Sequence, residues 1–307
     1  MLYDLIIVGS GPAGLTAGIY AARAEINTVI VEKNPFSGGQ IINTYEVDNY
    51  PGIPGIGGFD LAMKFREHCD KLGTKFVEGD VSSFSVEKDG TKKIVLNNGE
   101  VYESKAVIIA TGAKNRKLGV KGEEELSGKG VSYCATCDGA FFKGKTTAVV
   151  GGGDVAVEDA IFLSRLCEKV YVIHRRDEFR AAKSLSSKLV KQENVEILWD
   201  TVVEEITGDE AVTGLVVKNI KTGEQRELAA AGVFIAVGTA PSSDLYKEWV
   251  KTDQSGYIIA DESCETSTKG IFVAGDIRTK PLKQIVTAAA DGANAITAVE
   301  HFLNELE

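Results

Sequence analysis

Two cysteines, Cys134 and Cys137, stand three apart in the stretch SYCATCDGAFF, residues 132–142, and an acid, Asp138, directly follows the second. Thiols at this spacing can cycle between dithiol and disulfide, supply half of a tetrahedral zinc site, or be neighbours by accident. Zinc needs about four ligands, usually a second such pair or histidines. The chain has five cysteines and three histidines, and the remaining cysteines are scattered. The one other cluster, His68 with Cys69, lies in LAMKFREHCDKL and reads as the partly buried face of an amphipathic helix. No metal is expected, and the redox reading fits best. An acid beside a thiol suits proton delivery to a leaving thiolate when partial burial raises its pKa. The plain alternative for Asp138 is a turn acid in Asp-Gly. Phe141 and Phe142 read either as an apolar landing patch for a partner or as core.

The elements that must carry this chemistry are legible as two copies of one unit. Residues 5–32, LIIVGSGPAGLTAGIYAARAEINTVIVE, align without a gap on residues 147–174, TAVVGGGDVAVEDAIFLSRLCEKVYVIH. Each copy has an apolar strand, a G-x-G-x-x-[GA] turn, an amphipathic helix and a second strand. The turn is Gly9, Gly11 and Gly14 in the first copy, and Gly151, Gly153 and Ala156 in the second. Such a turn lets backbone approach a pyrophosphate and aims a helix N-terminus at its charge. The second strand of the first copy ends in Glu32, an acid suited to ribose hydroxyls. The aligned residue of the second copy is His174, followed by Arg175, Arg176 and Arg180. Guanidinium groups match phosphate oxygens in geometry and charge, so the second copy is expected to take a 2′-phosphate, hence NADP(H).

Three more short apolar strands end in glycine: AVIIATGA (106–113), VFIAVGTAP (233–241) and IFVAGDI (271–277). Each can bring backbone close to a flat or phosphorylated ligand. Asp276, after the third, is a candidate acceptor for a polyol chain, with a helix cap or turn as the alternative. A final amphipathic helix is expected over KQIVTAAADGANAITAVEHFLNEL. Residues 43–58, NTYEVDNYPGIPGIGG, read as a Gly/Pro-rich loop. At 307 residues the chain has room for two domains. It is 44% hydrophobic and 25% charged, a globular balance. A net charge of -10 argues against nucleic acid or anionic lipid as the main partner. No apolar run reaches bilayer length, and the N-terminus does not read as a signal peptide. An odd, scattered set of cysteines points to a reducing cytosol.

The order GSGPAG, GGQ, NYPG, ATG, CATCDG, GGGxxAxE, HRRDxFRA and AGD resembles the low-molecular-weight, bacterial-type NADPH–thioredoxin reductases nearly end to end, with CATCDG as its most specific element. That resemblance implies an α/β fold of two Rossmann-like dinucleotide-binding domains, the second inserted in the first. The FAD domain would be 1–114 plus 242–307, and the NADPH domain 115–241 would carry a Cys134–Cys137 disulfide. It places FAD at Gly9, Gly11, Pro12, Ala13, Gly14, Glu32, Lys33, Gly39, Gln40, Asn49, Val81, Thr111, Gly112, Asp276, Gln284 and Ile285. It places NADPH at Gly151, Gly153, Asp154, Val155, Ala156, Glu158, His174, Arg175, Arg176 and Arg180. Hydride from NADPH would reach the flavin, and the electron pair would pass to sulfur and on to thioredoxin. Cys137, beside the acid, is expected to face the flavin; which thiol attacks the partner first is not written in the sequence, with Cys137 favoured. The family is homodimeric and cytosolic. Two departures stand out: Lys283 where many members carry arginine, and Ala140 where an aromatic is common. Because the CxxC and the nicotinamide must each reach one flavin, the inserted domain is expected to rotate about crossings near residues 114–117 and 241–244. Competing readings are the flavoprotein of a peroxide-reducing system and a redox-sensing nucleotide-binding module without turnover.

Overall fold

Alternation along the first strand sets the architecture of one half of the molecule. In β1 (Leu2–Val8), Leu5 and Ile7 point into one apolar cluster and Ile6 and Val8 into another, as the two-residue period of a strand requires. All four are buried, each contributing about 1.5–3 kcal/mol relative to exposure. The structure is a computed structural model and describes residues 2–44, 47 and 49–306. Tyr45, Glu46 and Asp48 of the expected Gly/Pro-rich loop lie outside the described residues.

After β1 come α1 (Pro12–Arg23), β2 (Thr28–Glu32), α2 (Gly58–Lys71), β3 (Lys75–Glu78), β4 (Val81–Val86), β5 (Lys92–Leu96), β6 (Val101–Ile109) and β7 (Ala113–Asn115). The next segment holds β8 (Val131–Ser132), α3 (Ala135–Asp138), β9 (Thr146–Gly151), α4 (Asp154–Ser164), β10 (Lys169–Ile173), α5 (Lys183–Leu189) and β11 (Val195–Leu198). It continues with β12 (Thr201–Gly208), β13 (Val212–Asn219), β14 (Gln225–Ala229), β15 (Gly232–Ala236) and β16 (Thr239–Pro241). The chain closes with β17 (Ile271–Val273) and α6 (Ile285–Asn304).

Two units result: Met1–Lys114 with Ala240–Glu307, and Asn115–Thr239. The crossing residues β7 and β16 pair with each other as a two-stranded ribbon. In the first unit the sheet order is β3-β2-β1-β6-β5-β4, with β17 also on β6. The strands β3, β2, β1, β6 and β17 run parallel, while β4 and β5 join as an antiparallel extension. Helices α1 and α6 cover one face. They approach closely because their contact is built of small residues: a Cβ added to Gly292 would lie 2.3 Å from the Ala13 carbonyl oxygen. Pro12 opens α1 at a position where its missing N–H costs nothing. A Gln284–Thr287 capping box opens α6.

The second unit holds an all-parallel sheet, β11-β10-β9-β15-β8, and a separate antiparallel sheet, β12-β13-β14. The β9–α4–β10 segment repeats the β1–α1–β2 plan. Among the described residues no helix is long and apolar enough to cross a membrane.

Candidate active site

In the first repeat the strand β1 ends at the glycine turn, and Gly11 caps α1 in extended conformation. A Cβ on Gly14 would lie 1.9 Å from the Gly9 carbonyl oxygen, so only glycine lets the helix start this close to the turn. A Cβ on Gly11 would meet nothing within 4 Å, leaving its backbone face open. Glu32 is anchored at the end of β2. Its Oε2 accepts from Ser10 N and Ser10 Oγ, both at 2.7 Å, and its Oε1 accepts from Asn34 N and Nδ2 at 2.9 Å. The carboxylate is thus fixed beside the turn, with lone pairs remaining for a ribose.

Other residues of the first unit gather on this rim. Gly39 opens a short helical turn against Gly11, and Gln40 Nε2 donates to the Ala113 carbonyl. Asn49 Nδ2 donates to Gln284 Oε1 at 3.0 Å, across 235 residues of chain. Thr111 Oγ1 donates to the Ser242 carbonyl at 2.9 Å, and Ser242 N donates to the Gly112 carbonyl at 3.0 Å. Gly79 N donates to the Glu32 carbonyl at 2.8 Å, which brings the chain to Val81 at the start of β4. Pro12 and Ala13 form the first turn of α1, and Ile285 that of α6. Lys33 lies exposed in the loop after β2.

Asp276 follows β17. Its Oδ1 is buried and accepts no hydrogen bond within the structure. Burial raises its pKa, opposed by Lys283 and Lys280. A buried carboxylate oxygen of this kind needs a donor, and a polyol hydroxyl supplies one. The turn holding it is pinned by a buried charge cluster. Asp291 Oδ2 accepts from Gly275 N at 2.9 Å, Arg278 Nε at 2.8 Å and Lys280 Nζ at 2.7 Å, while its Oδ1 accepts from Arg278 Nη2 at 2.7 Å. Burial pushes the Asp291 carboxyl up, but these donors hold it below its usual value.

The second repeat reaches its basic end differently. His174 is buried, with Nε2 3.1 Å from the Glu178 carbonyl and its ring packed on Phe179 and Trp199. Burial and then the charges of Arg180, Arg176 and Arg175 lower its pKa, against the Glu178 contact. The sequence places His174 among the cofactor residues; the structure puts its ring into the packing under the turn. Arg175, Arg176 and Arg180 are exposed. The nearby acids Asp177 and Asp200 pair with Lys221 at 3.3 and 3.0 Å. The three guanidiniums therefore have no carboxylate partner among the described residues. Asp154, the first residue of α4, accepts from Ala182 N at 2.7 Å and ties the basic loop to the helix start. Gly151, Gly153 and Ala156 form the turn, while Val155 and Glu158 are exposed on α4.

The cysteines lie on the same rim of the same sheet. Strand β8 pairs with β15, and β15 with β9, so the CxxC and the glycine turn leave carboxyl ends two strand spacings apart, roughly 10 Å. Cys134 caps α3 and is bonded to Cys137, with Cα atoms 5.3 Å apart. Asp138 Oδ2 accepts from Ser132 Oγ at 2.6 Å. Burial raises the Asp138 pKa and the Ser132 hydroxyl opposes it. Phe142 is core, edge-on to Phe234 at 5.3 Å, whereas Phe141 is exposed. The remaining cysteines, Cys69, Cys167 and Cys264, are buried free thiols. Burial pushes Cys69 and Cys264 up to about 12, which makes them inert. His68 is exposed beside the buried Cys69, and no group of metal-binding side chains occurs among the described residues.

The family model of the pyridine nucleotide-disulphide oxidoreductases matches residues 3–292. The chain belongs to this family. It is 45% identical to the thioredoxin reductase of Bacillus subtilis over 100% of its own length and 96% of the relative's. A thioredoxin reductase from Streptococcus pyogenes matches at a TM-score of 0.91 and 46% identity, covering 99% of both chains. One from Giardia duodenalis matches at 0.91 and 38%, again covering 99% of both. Within the family, the chain therefore groups with the thioredoxin reductases, whose two dinucleotide domains the α/β architecture matches.

The family uses FAD and NADPH, and the residues present fit both. The orphaned Asp276 Oδ1 and the open face of Gly11 suit a flavin dinucleotide. The unpaired arginines suit a 2′-phosphate. Ser10 and Ser132 lie inside GSGPAG and SYCATCDGAFF, but those patterns assign them no contact, and Arg278, Lys280 and Asp291 belong to none of the family motifs. A GDI-R-x-K run followed by an acid on the last helix was the only available signal for the charge cluster.

Proposed function

We propose that this chain is an NADPH-dependent flavoenzyme that reduces the disulfide of thioredoxin through Cys134 and Cys137. The disulfide at the carboxyl rim of β8, two strands from a basic nucleotide turn, carries this reading. Bound FAD supplies the means of converting a hydride into an electron pair that sulfur can accept. The chain's own residues do the rest. Gly9, Gly11, Pro12, Ala13 and Gly14 bring backbone to the FAD pyrophosphate, Glu32 takes its ribose, and Asp276 takes its polyol chain. Gln284 and Ile285 present the N-terminus of α6. Arg175, Arg176 and Arg180 bind the 2′-phosphate of NADPH, and His174 shapes the turn from beneath.

The reduced dithiol then exchanges with substrate. One thiolate attacks a thioredoxin sulfur, the thioredoxin S–S bond breaks, and Asp138 gives a proton to the leaving sulfur. The second thiol resolves the mixed disulfide and Cys134–Cys137 re-forms. NADPH has supplied two electrons and one proton, and solvent supplies the second proton. The CxxC and the nicotinamide turn share one rim, so they take turns at the flavin by rotation of the inserted domain. The resemblance supports a homodimer acting in the cytosol.

NADPH oxidation assayed with purified thioredoxins and with a peroxiredoxin system tests the reading. Turnover with thioredoxin supports it. Turnover only with the peroxiredoxin system, or with neither, overturns it. In the same assay Cys134→Ser and Cys137→Ser should retain FAD and its reduction by NADPH while losing thioredoxin reduction.

A further inference from the structure

Ser132 sits where the two ends of the redox turn meet. It is 6% exposed, the last residue of β8, and held in register by pairing with Phe234. Its Oγ makes three contacts. It accepts from the Cys134 amide at 3.1 Å, donates to Asp138 Oδ2 at 2.6 Å, and lies 3.4 Å from the Cys134 carbonyl oxygen. A serine hydroxyl has one proton to give and two lone pairs to fill. With Asp138 ionised, the proton goes to Oδ2 and one lone pair takes the amide. With Asp138 protonated, the carboxyl can donate to the second lone pair and the hydroxyl can turn to the Cys134 carbonyl. In each state the Ser132 hydroxyl keeps a bond to the carboxyl and one to the Cys134 amide.

We propose that Ser132 is a positioning residue of the disulfide chemistry: it ties the backbone of Cys134 to the carboxyl of Asp138 and satisfies that carboxyl in both protonation states. The proposal rests on the reading of Asp138 as the acid of thiol exchange. Strand β8 supplies Ser132, and α3, which holds Asp138, packs against α4 and the turn Gly139–Phe142. The charged groups of α4 are Asp154, Glu158 and Asp159, and none of them perturbs Asp138. Burial and the Ser132 hydroxyl act on it in opposite senses. The two sulfurs share the turn and titrate once the disulfide opens. Removing the hydroxyl therefore leaves burial unopposed, and the acid form persists to higher pH.

The test uses the full-length holoenzyme and thioredoxin, with kcat followed across pH for the parent, Ser132→Ala, Ser132→Thr and Asp138→Asn. Flavin reduction by NADPH is recorded alongside. Ser132→Ala should lose roughly ten-fold in kcat, and its alkaline limb should move to higher pH. Ser132→Thr should restore both. Ser132→Gly carries the same test if the alanine variant does not fold. A parental profile in Ser132→Ala, or a loss of rate with an unmoved profile, overturns the proposal. If Asp138→Asn keeps the parental rate, the acid assignment itself falls. If Asp138→Asn is inactive while Ser132→Ala is parental, only the role of Ser132 falls.

Discussion

Ser10 and Gly152 occupy the same position in the two repeats, and the two nucleotide turns differ around them. Ser10 gives two hydrogen bonds to Glu32, fixing an acid at the strand end. Gly152 gives none. A Cβ there would lie 2.2 Å from the His174 ring, so the missing side chain is what lets the imidazole lie under the turn. The third turn position differs in step. Gly14 cannot carry a Cβ, while Ala156 carries one in the second repeat and is fully buried. One supersecondary plan thus holds an acid in place in one copy, and in the other buries a neutral imidazole and pushes the charge outward to the arginines.

The sharpest break of this comparison is an alanine at the third turn position of the first repeat. Gly14→Ala should cost about 4–5 kcal/mol or abolish folding, whereas Ala156→Gly should cost only about 0.5–1 kcal/mol. Flavin absorbance per chain and the thermal midpoint measure both, and equal behaviour of the two variants would end the claimed asymmetry. Gly152→Ala comes next, at about 1–3 kcal/mol of overpacking. Most of that cost should vanish in a His174→Ala background, because the added methyl then has room. A double-mutant cycle without coupling would show that the ring is not what the glycine accommodates.

On the coenzyme side, Arg175→Ala with Arg176→Ala should raise KM for NADPH by about ten-fold or more and leave KM for NADH nearly unchanged. An unaltered NADPH/NADH preference would refute the 2′-phosphate site. The smallest effect is on acid stability. The pKa of His174 is lowered in the folded chain, so the unfolded chain takes up this proton first, near pH 6.5. Its contribution is intact above that pH and is lost as pH falls toward the folded value. Thermal midpoints of His174→Gln should therefore decline less on acidification than those of the parent.

Much of this site is legible in the sequence. The paired fingerprints, the acid-to-arginine exchange and the CxxC are local patterns, set by which residues allow a tight turn or match a phosphate. The last helix was readable for the same reason, as small and apolar residues at helical spacing. His174 shows where such reading stops. Its place at the strand end was legible; its burial against Phe179 and Trp199 depends on a ring 25 residues downstream. Phe141 and Phe142 show the same limit, since only the proximity of Phe234 makes one of the pair core.

By itself the sequence determined the period of each strand and helix, the turns only glycine permits, and the charges beside them, because these follow from backbone sterics and side-chain chemistry within a few residues. The tertiary structure alone decided which distant groups meet. Asn49 reaches Gln284, Asp291 pins the turn before Asp276, and Thr111 reaches the Ser242 carbonyl. Those contacts join residues with no shared local pattern. They exist because burying the apolar faces of the sheets fixes each strand end, and buried polar atoms must then find partners at the positions that remain.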